Sequence, residues 1–414
     1  MFHFVYADEE GNGYINEDFF GLGMLGNSFV EPSEEELIPL PEGASLTMIP
    51  DRAAVVINDE DQFVLYPGEG WAMGALLPQG YTRTLLPAFV NNNNAEGLPL
   101  FGYAAVFSQD GELYVAAVPT DEDHKWNPKH YNTEDLADRV AALKEKFPGN
   151  RIVEQIGYCA LEYGCFTAEN MFYHRWEAGI PVSPACNANC LGCISLQPRE
   201  CCPSPQNRLK FIPTLQEIVE LDVYHLEEAE DGIISFGQGC EGDPSMQAEL
   251  IAEAIREIRK QTDKGTINMN TNAGYTEGIR KLVDAGIDSL RVSLNSGTDK
   301  VYQAYYRPNH HSLADVKASL KYAAENGVYT YLNLLTYPGL NDCADELQSL
   351  IDLVQECDVK AIQVRNLNID PDTMKPLLAL PEEEALGVPA MLQILGEELP
   401  DVAIGNYTKP YRRK

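Results

Sequence analysis

Basic residues are scarce in this chain: 30 Lys and Arg stand against 63 Asp and Glu, a formal charge of −33. So acidic a surface repels phosphate backbones, which argues against a nucleic-acid partner. Long apolar runs are missing too. No stretch of about 18 clean apolar residues occurs, so no membrane span is expected. The opening residues Met1 to Glu10 carry neither a basic n-region nor an apolar h-region, so no signal peptide is expected. Cysteine is thin, at ten in 414 residues, too few for a disulfide scaffold. Their clustering instead points to metal in a reducing, cytoplasmic setting. What is present, 44% hydrophobic and 22% charged residues, describes a globular chain rather than a disordered one. The length suits two domains, or one large domain with an extension.

The cysteines gather in one place. Cys186, Cys190 and Cys193 are spaced C-x3-C-x2-C, directly after the apolar run Gly179 to Val182. Three thiolates on one tight loop suit three corners of a cubane iron–sulfur cluster. This spacing supplies no fourth protein ligand, which leaves one iron open to chemistry. Two other readings compete. Zinc sites pair two C-x2-C hooks, or one hook with two histidines. Here Cys190 and Cys193 make a single hook, and His225, the nearest later histidine, has no second His at ligand spacing. The third reading makes the cysteines buried small residues.

From Gly179 onward, strand patterns alternate with helix patterns, as in a parallel sheet wound with helices. The strands are expected at 179–183, 232–236, 266–270, 289–294, 329–335 and 360–364. Each is followed by polar residues. After the second come Gly237, Gly239, Glu241 and Asp243; glycines let backbone approach a ligand, and an acid there can accept hydrogen bonds from an ammonium group. Asn272 follows the third strand, either as a hydrogen-bonding group or as a helix cap. Alternation puts Arg291, Ser293 and Asn295 on one face of the fourth strand, with Arg291 also suited to a structural ion pair. Asn333 lies near the end of the fifth. Tyr302–Pro308 supplies aromatics for a rim, and Arg365 follows the sixth strand. Arg291 or Arg365 suits a carboxylate or a phosphate. In (β/α) barrels the active site lies at these C-terminal strand ends. The long polar stretch 195–213, with Pro198, Cys201 and Cys202, is a candidate lid.

Over about residues 179–375 the chain resembles the radical S-adenosylmethionine (radical SAM) superfamily, whose signature is C-x3-C-x2-C after the first barrel strand. The resemblance implies a [4Fe-4S] cluster on Cys186, Cys190 and Cys193, with SAM on the open iron. It further implies reductive cleavage of SAM to a 5′-deoxyadenosyl radical, and an electron donor such as flavodoxin or ferredoxin. By the same resemblance, Glu241 or Asp243 takes the place of the acid that holds the methionine amino group. Ser293 and Asn295 take the places of strand-four cofactor contacts, Asn272 sits at the third-strand "T-N-G" end, and Pro338-Gly339 matches the element beside adenine. One departure stands out. The residue before the last cysteine is commonly aromatic in that family, and here it is Gly192, so adenine packing must come from elsewhere.

Residues 1 to about 130 read as strands separated by turns such as Pro67-Gly68 and Asp110-Gly111, with a hairpin expected over 101–118. Trp71 reads as a core residue before a substrate contact, and Asn91–Asn94 as an exposed loop. A helix is expected over 133–147, a short strand at Arg151–Ile156 and a helix over 167–175. Cys159 and Cys165 suit either a second metal site or ordinary packing. The expected fold is therefore α/β: an N-terminal mainly β domain with a connecting helical segment (1–175), a partial (β/α)6 TIM-type barrel (176–375) and a C-terminal tail on the barrel (376–414). The expected activity is that of a radical SAM enzyme on a small-molecule or peptide/protein substrate. A non-catalytic iron–sulfur or zinc protein on the same barrel is the alternative.

Overall fold

Asp110 and Gly111 both adopt positive φ, 53° and 82°, which joins Tyr103–Gln109 to Glu112–Pro119 as the expected hairpin. The computed structural model, which describes residues 1–91, 95–98, 100–122, 127–196, 204–377 and 384–413, builds an 11-stranded, largely antiparallel sheet around this hairpin. The hairpin pairs onward with Trp71–Leu76 and with His3–Ala7, which in turn pairs with Gly13–Gly21. A second, three-stranded sheet contains Gly23–Leu25, Ser28–Val30 and Leu86–Pro87. Within residues 1–44 the individual strands had no clear sequence signal: Gly13–Gly21 is mostly exposed and lacks strict alternation. Asn92–Asn94, Pro198, Cys201 and Cys202 lie outside the described residues.

Helices Leu136–Lys146, Arg151–Tyr163 and Phe166–Phe172 lead to the barrel. The short strand expected at Arg151–Ile156 is the first half of the second helix. Its apolar residues continue at helical spacing through Ile152, Val153, Ile156, Cys159 and Ala160, all buried. Asn150 caps it, its side-chain oxygen accepting from Ile152 N and Val153 N.

The barrel strands run Glu177–Ile180, Ile233–Phe236, Thr266–Thr271, Ser289–Leu294, Tyr329–Thr336 and Ala361–Asn366, all parallel and in chain order. A seventh, Ala403–Gly405, comes from the tail and pairs parallel with Ala361–Gln363. The outer helices follow the expected places, among them Leu215–Glu228, where Thr214 and Glu217 form the predicted capping box.

The N-terminal domain closes over the late strand ends. Thr82 Oγ1 donates to Val364 O at 3.3 Å, and Arg83 N to Asn366 Oδ1 at 3.0 Å. The buried Arg83 guanidinium donates to Leu367 O at 2.5 Å and to Phe101 O at 3.1 Å. Arg52 pairs with Asp370 at 3.2 Å in a site closed to water. Pro338-Gly339 packs here as well. Pro338 O accepts from Gly26 N, and a Cβ on Gly339 would lie 2.1 Å from that nitrogen. That loop thus serves the domain contact.

Candidate functional site

The first strand ends at Ile180, and Glu241 holds the backbone of the residues after it. One carboxylate oxygen of Glu241 accepts from Val182 N (2.8 Å) and Ser183 N (2.7 Å). The other accepts from Gly237 N and Gln238 N, each at 2.8 Å. Burial pushes this carboxyl up to about 7, opposed by those four backbone donors. Gly242 N and Asp243 N then donate to Ser183 O and Ala185 O. The loop after the second strand is thereby stitched onto the loop that carries Cys186. Asp243 ties in the third strand: its carboxylate accepts from Ser245 N, Thr271 Oγ1 and Asn272 N. Neither acid is free for an ammonium group without giving up a bond it already makes.

The other side of the cysteine loop leans on the helix Asp299–Tyr306 and the residues after it. Leu191 N donates to Tyr305 O, Asn189 N to Tyr306 O, and Asn309 N to Asn187 O. The absent side chain of Gly192 has a physical counterpart here: a Cβ at that position would lie 2.7 Å from the Tyr305 hydroxyl oxygen. Asn272 Nδ2 donates to Asn187 Oδ1 at 2.6 Å, so it supports the cysteine loop as well.

Beneath the loop the barrel interior is a polar network. Ser235 Oγ donates to Glu177 Oε1 at 2.6 Å, Asn268 Nδ2 to Ser235 Oγ at 2.9 Å, and Ser289 Oγ to Asn268 Oδ1 at 2.8 Å. Arg291 pairs with Glu177 at 2.9 Å and donates to Asn270, Gln363 and Thr408. The alternation on the fourth strand is thus real, and Arg291 takes the structural ion pair. Such a network is tolerated in a barrel because nearly every member is paired.

Above this floor opens a cavity of about 440 Å³. Cys186, Cys190 and Cys193 all line it. So do Gly237, Gly239, Glu241, Asp243, Asn272, Ser293 and Asn333. Asn295 does not. It lies one residue past the strand, is buried, and its carbonyl accepts from Asn341. Burial pushes the Cys186 thiol up to about 11 and Cys190 well up, so anionic sulfur there needs positive charge beside it. Arg208 supplies some: its Nη2 donates to Cys193 Sγ at 3.4 Å, and its Nε to Ser195 Oγ at 3.1 Å. Among the described residues, no three of His, Cys, Asp and Glu come close enough to hold a single metal ion.

Residues 180–354 match the family model described as the radical SAM superfamily. This part of the chain belongs to that superfamily. No curated protein matches the chain. Among solved structures, methylornithine synthase (PylB) is 14% identical, with 65% of this chain and 78% of that one covered and a TM-score of 0.40. The FeFe-hydrogenase maturase HydG from Carboxydothermus hydrogenoformans is 16% identical, with 65% and 69% covered and a TM-score of 0.39. SuiB of Streptococcus suis bound to S-adenosylmethionine is 15% identical, with 61% and 56% covered and a TM-score of 0.38. At such values the likeness says nothing about substrate or reaction. The radical SAM segment holds the cysteine loop, the Glu241 and Asp243 clamps and the polar strands four and five.

Several cavity residues were not anticipated from sequence. Glu177, Arg208, Gln238 and Asn270 carry no motif, and Gln79 and Tyr407 come from the N-terminal domain and the tail. Asn270 ends the expected third strand, but nothing local signalled the others, which arrive by tertiary packing.

Proposed function

We propose that this chain is a radical SAM enzyme in which Cys186, Cys190 and Cys193 hold a [4Fe-4S] cluster and the polar strand ends hold SAM. The observation that carries this reading is the meeting of all three cysteines with the ends of the second to fifth strands around one cavity. The donor set suits a cluster over a lone zinc ion: three thiols at C-x3-C-x2-C spacing border the cavity, with no second C-x2-C hook in the sequence and no later histidine pair at ligand spacing. Bound there, the cluster and SAM would supply an electron-driven cleavage that yields methionine and a 5′-deoxyadenosyl radical, which takes a hydrogen atom from the substrate.

The protein's own residues would bind, orient and exclude water. Gly237 has φ of 89°, and a Cβ there would meet Asn270 O at 1.9 Å, so only glycine permits this close crossing beside the cavity. With Glu241 and Asp243 engaged in the loops, their role toward SAM would be to hold in place the backbone that borders the site. Ser293 and Asn333, 3.5 Å apart, are the polar pair offered to the sugar. Tyr305 stands in the space that the side chain before the last cysteine would occupy. The N-terminal domain, which contributes Gln79, screens one side.

The substrate is a small molecule or a peptide, with flavodoxin or ferredoxin as the electron source. No described helix is long and apolar enough to cross a membrane. Anaerobic reconstitution with iron and sulfide followed by SAM and dithionite tests the reading: it expects 5′-deoxyadenosine from the native chain and none from a Cys186→Ala/Cys190→Ala/Cys193→Ala variant. A chain that binds iron, binds SAM and never cleaves it would favour the non-catalytic alternative.

A further inference from the structure

The sixth strand and the tail also help to line the cavity. Arg365 lines it from the strand, and Tyr407 from the tail. The two are neighbours, with the guanidinium carbon 6.0 Å from the Tyr407 ring centre. Arg365 Nη2 donates to Asn406 O at 2.5 Å, and its guanidinium makes no other hydrogen bond among the described residues. Its nearby acids are engaged elsewhere: Glu177 pairs with Arg291 at 2.9 Å, and Asp121 Oδ2 accepts from Asn406 N at 2.6 Å. No described carboxylate lies within ion-pairing distance of Arg365. The Tyr407 hydroxyl is buried and has no hydrogen-bond partner among the described residues. The rest of the Arg365 fork therefore borders the cavity without an acceptor, and beside it the buried Tyr407 hydroxyl lacks one among the described residues.

Leaving such groups unpaired in a low-dielectric site is costly, and an anion would relieve both. Burial and the neighbouring Arg291 hold the Arg365 guanidinium down to about 10, still cationic at neutral pH. The guanidinium fork matches a planar carboxylate bidentately. With Glu177 and Asp121 close by, a monoanion meets less repulsion than a phosphate dianion. Trp176 stands edge-on to Tyr407 at 5.5 Å, giving the pocket an aromatic wall.

We propose that Arg365 and Tyr407 form a carboxylate-binding subsite that anchors an acidic group of the substrate in the cavity that the cysteines border. Its assignment to the substrate rests on the radical SAM reading; the anion site itself does not, because it needs none of Cys186, Cys190, Cys193 or Ser293.

Ligand-observed NMR titration with benzoate, on the reconstituted full chain and at fixed ionic strength, tests it, with acetate, inorganic phosphate and SAM as separate arms. Arg365→Lys keeps the charge and the fold, and should weaken benzoate about tenfold; Arg365→Gln should weaken it further, and Tyr407→Phe by a few-fold. SAM affinity should stay unchanged in Arg365→Lys. Benzoate affinity equal in native and variant chains, with unaltered circular dichroism, would overturn the proposal. Phosphate displacing benzoate more strongly than acetate does would overturn the carboxylate class. A loss of SAM affinity in Arg365→Lys would assign the subsite to the SAM carboxylate and overturn the substrate role. Because benzoate binding needs no turnover, a missing 5′-deoxyadenosine signal would strike the family reading and leave this result standing.

Discussion

Gly242 sits where two loops cross, and a Cβ there would meet Ala185 O at 2.0 Å. Backbone on backbone cannot yield as a side chain can. Gly242→Ala should therefore cost about 2–3 kcal/mol, read by urea unfolding, and should lower the iron bound per chain. Glu169 makes a different kind of prediction. It is fully buried, neither carboxyl oxygen has a hydrogen-bond partner among the described residues, and burial pushes it up to about 7. Its folded value exceeds its unfolded value of 4.5, so the folded chain holds the proton longer. Stability should fall as pH rises from about 4.5 to about 7 and level off above, a loss on the order of 2–3 kcal/mol. Glu169→Gln should flatten that slope in a thermal-unfolding series; an unchanged slope would assign it to other groups. At this scale the sequence marked the three cysteines and the strand-end residues, but not their duties. The bonds of Glu241 and Asp243 to Val182, Ser183, Thr271 and Asn272 join residues far apart in the chain, so sequence carried no sign of them. Asn295 follows Leu294, where the strand ends, and is buried outside the cavity lining, a placement that alternation alone does not give.

Among the elements, the barrel strands were legible because each is a short apolar run ended by polar or glycine residues and followed by a helix. Strand one was placed two residues late, since Glu177 is a charged residue facing the interior, which no hydrophobic pattern announces; only Arg291 explains it. The helix Arg151–Tyr163 was misread over its first turns because Ile152, Val153 and Ile156 are β-branched, and its helical spacing shows only over the full 13 residues. The joint between the N-terminal domain and the sixth strand makes a test at this scale. Asp370→Ala would leave the buried Arg52 with the partly exposed Asp372, at 3.1 Å, as its one carboxylate among the described residues, beside the Pro50 and Glu96 carbonyls. A loss of about 3 kcal/mol is expected in chemical denaturation, with 5′-deoxyadenosine formation falling if the domain contact shapes the cavity.

As a whole molecule, three distant parts of the chain close one cavity: the N-terminal domain brings Gln79, the barrel brings the cysteines, and the tail brings Tyr407. Sequence order separates these parts, so their convergence could not be read from any one stretch. The tail also supplies the seventh strand, too short at three residues to declare itself. The formal charge of −33 contrasts with the cavity lining, where four arginines, Arg175, Arg208, Arg291 and Arg365, stand beside three acids, Glu177, Glu241 and Asp243. The central claim is that Cys186, Cys190 and Cys193 make this cavity a radical-generating site. The most direct measurement is chromatography for 5′-deoxyadenosine after anaerobic reconstitution with iron and sulfide, in the presence of SAM and dithionite, beside the triple cysteine-to-alanine variant. The account predicts about four irons per chain and product only where the three cysteines are intact. Zinc retained in place of iron, or product undiminished without the cysteines, would contradict it.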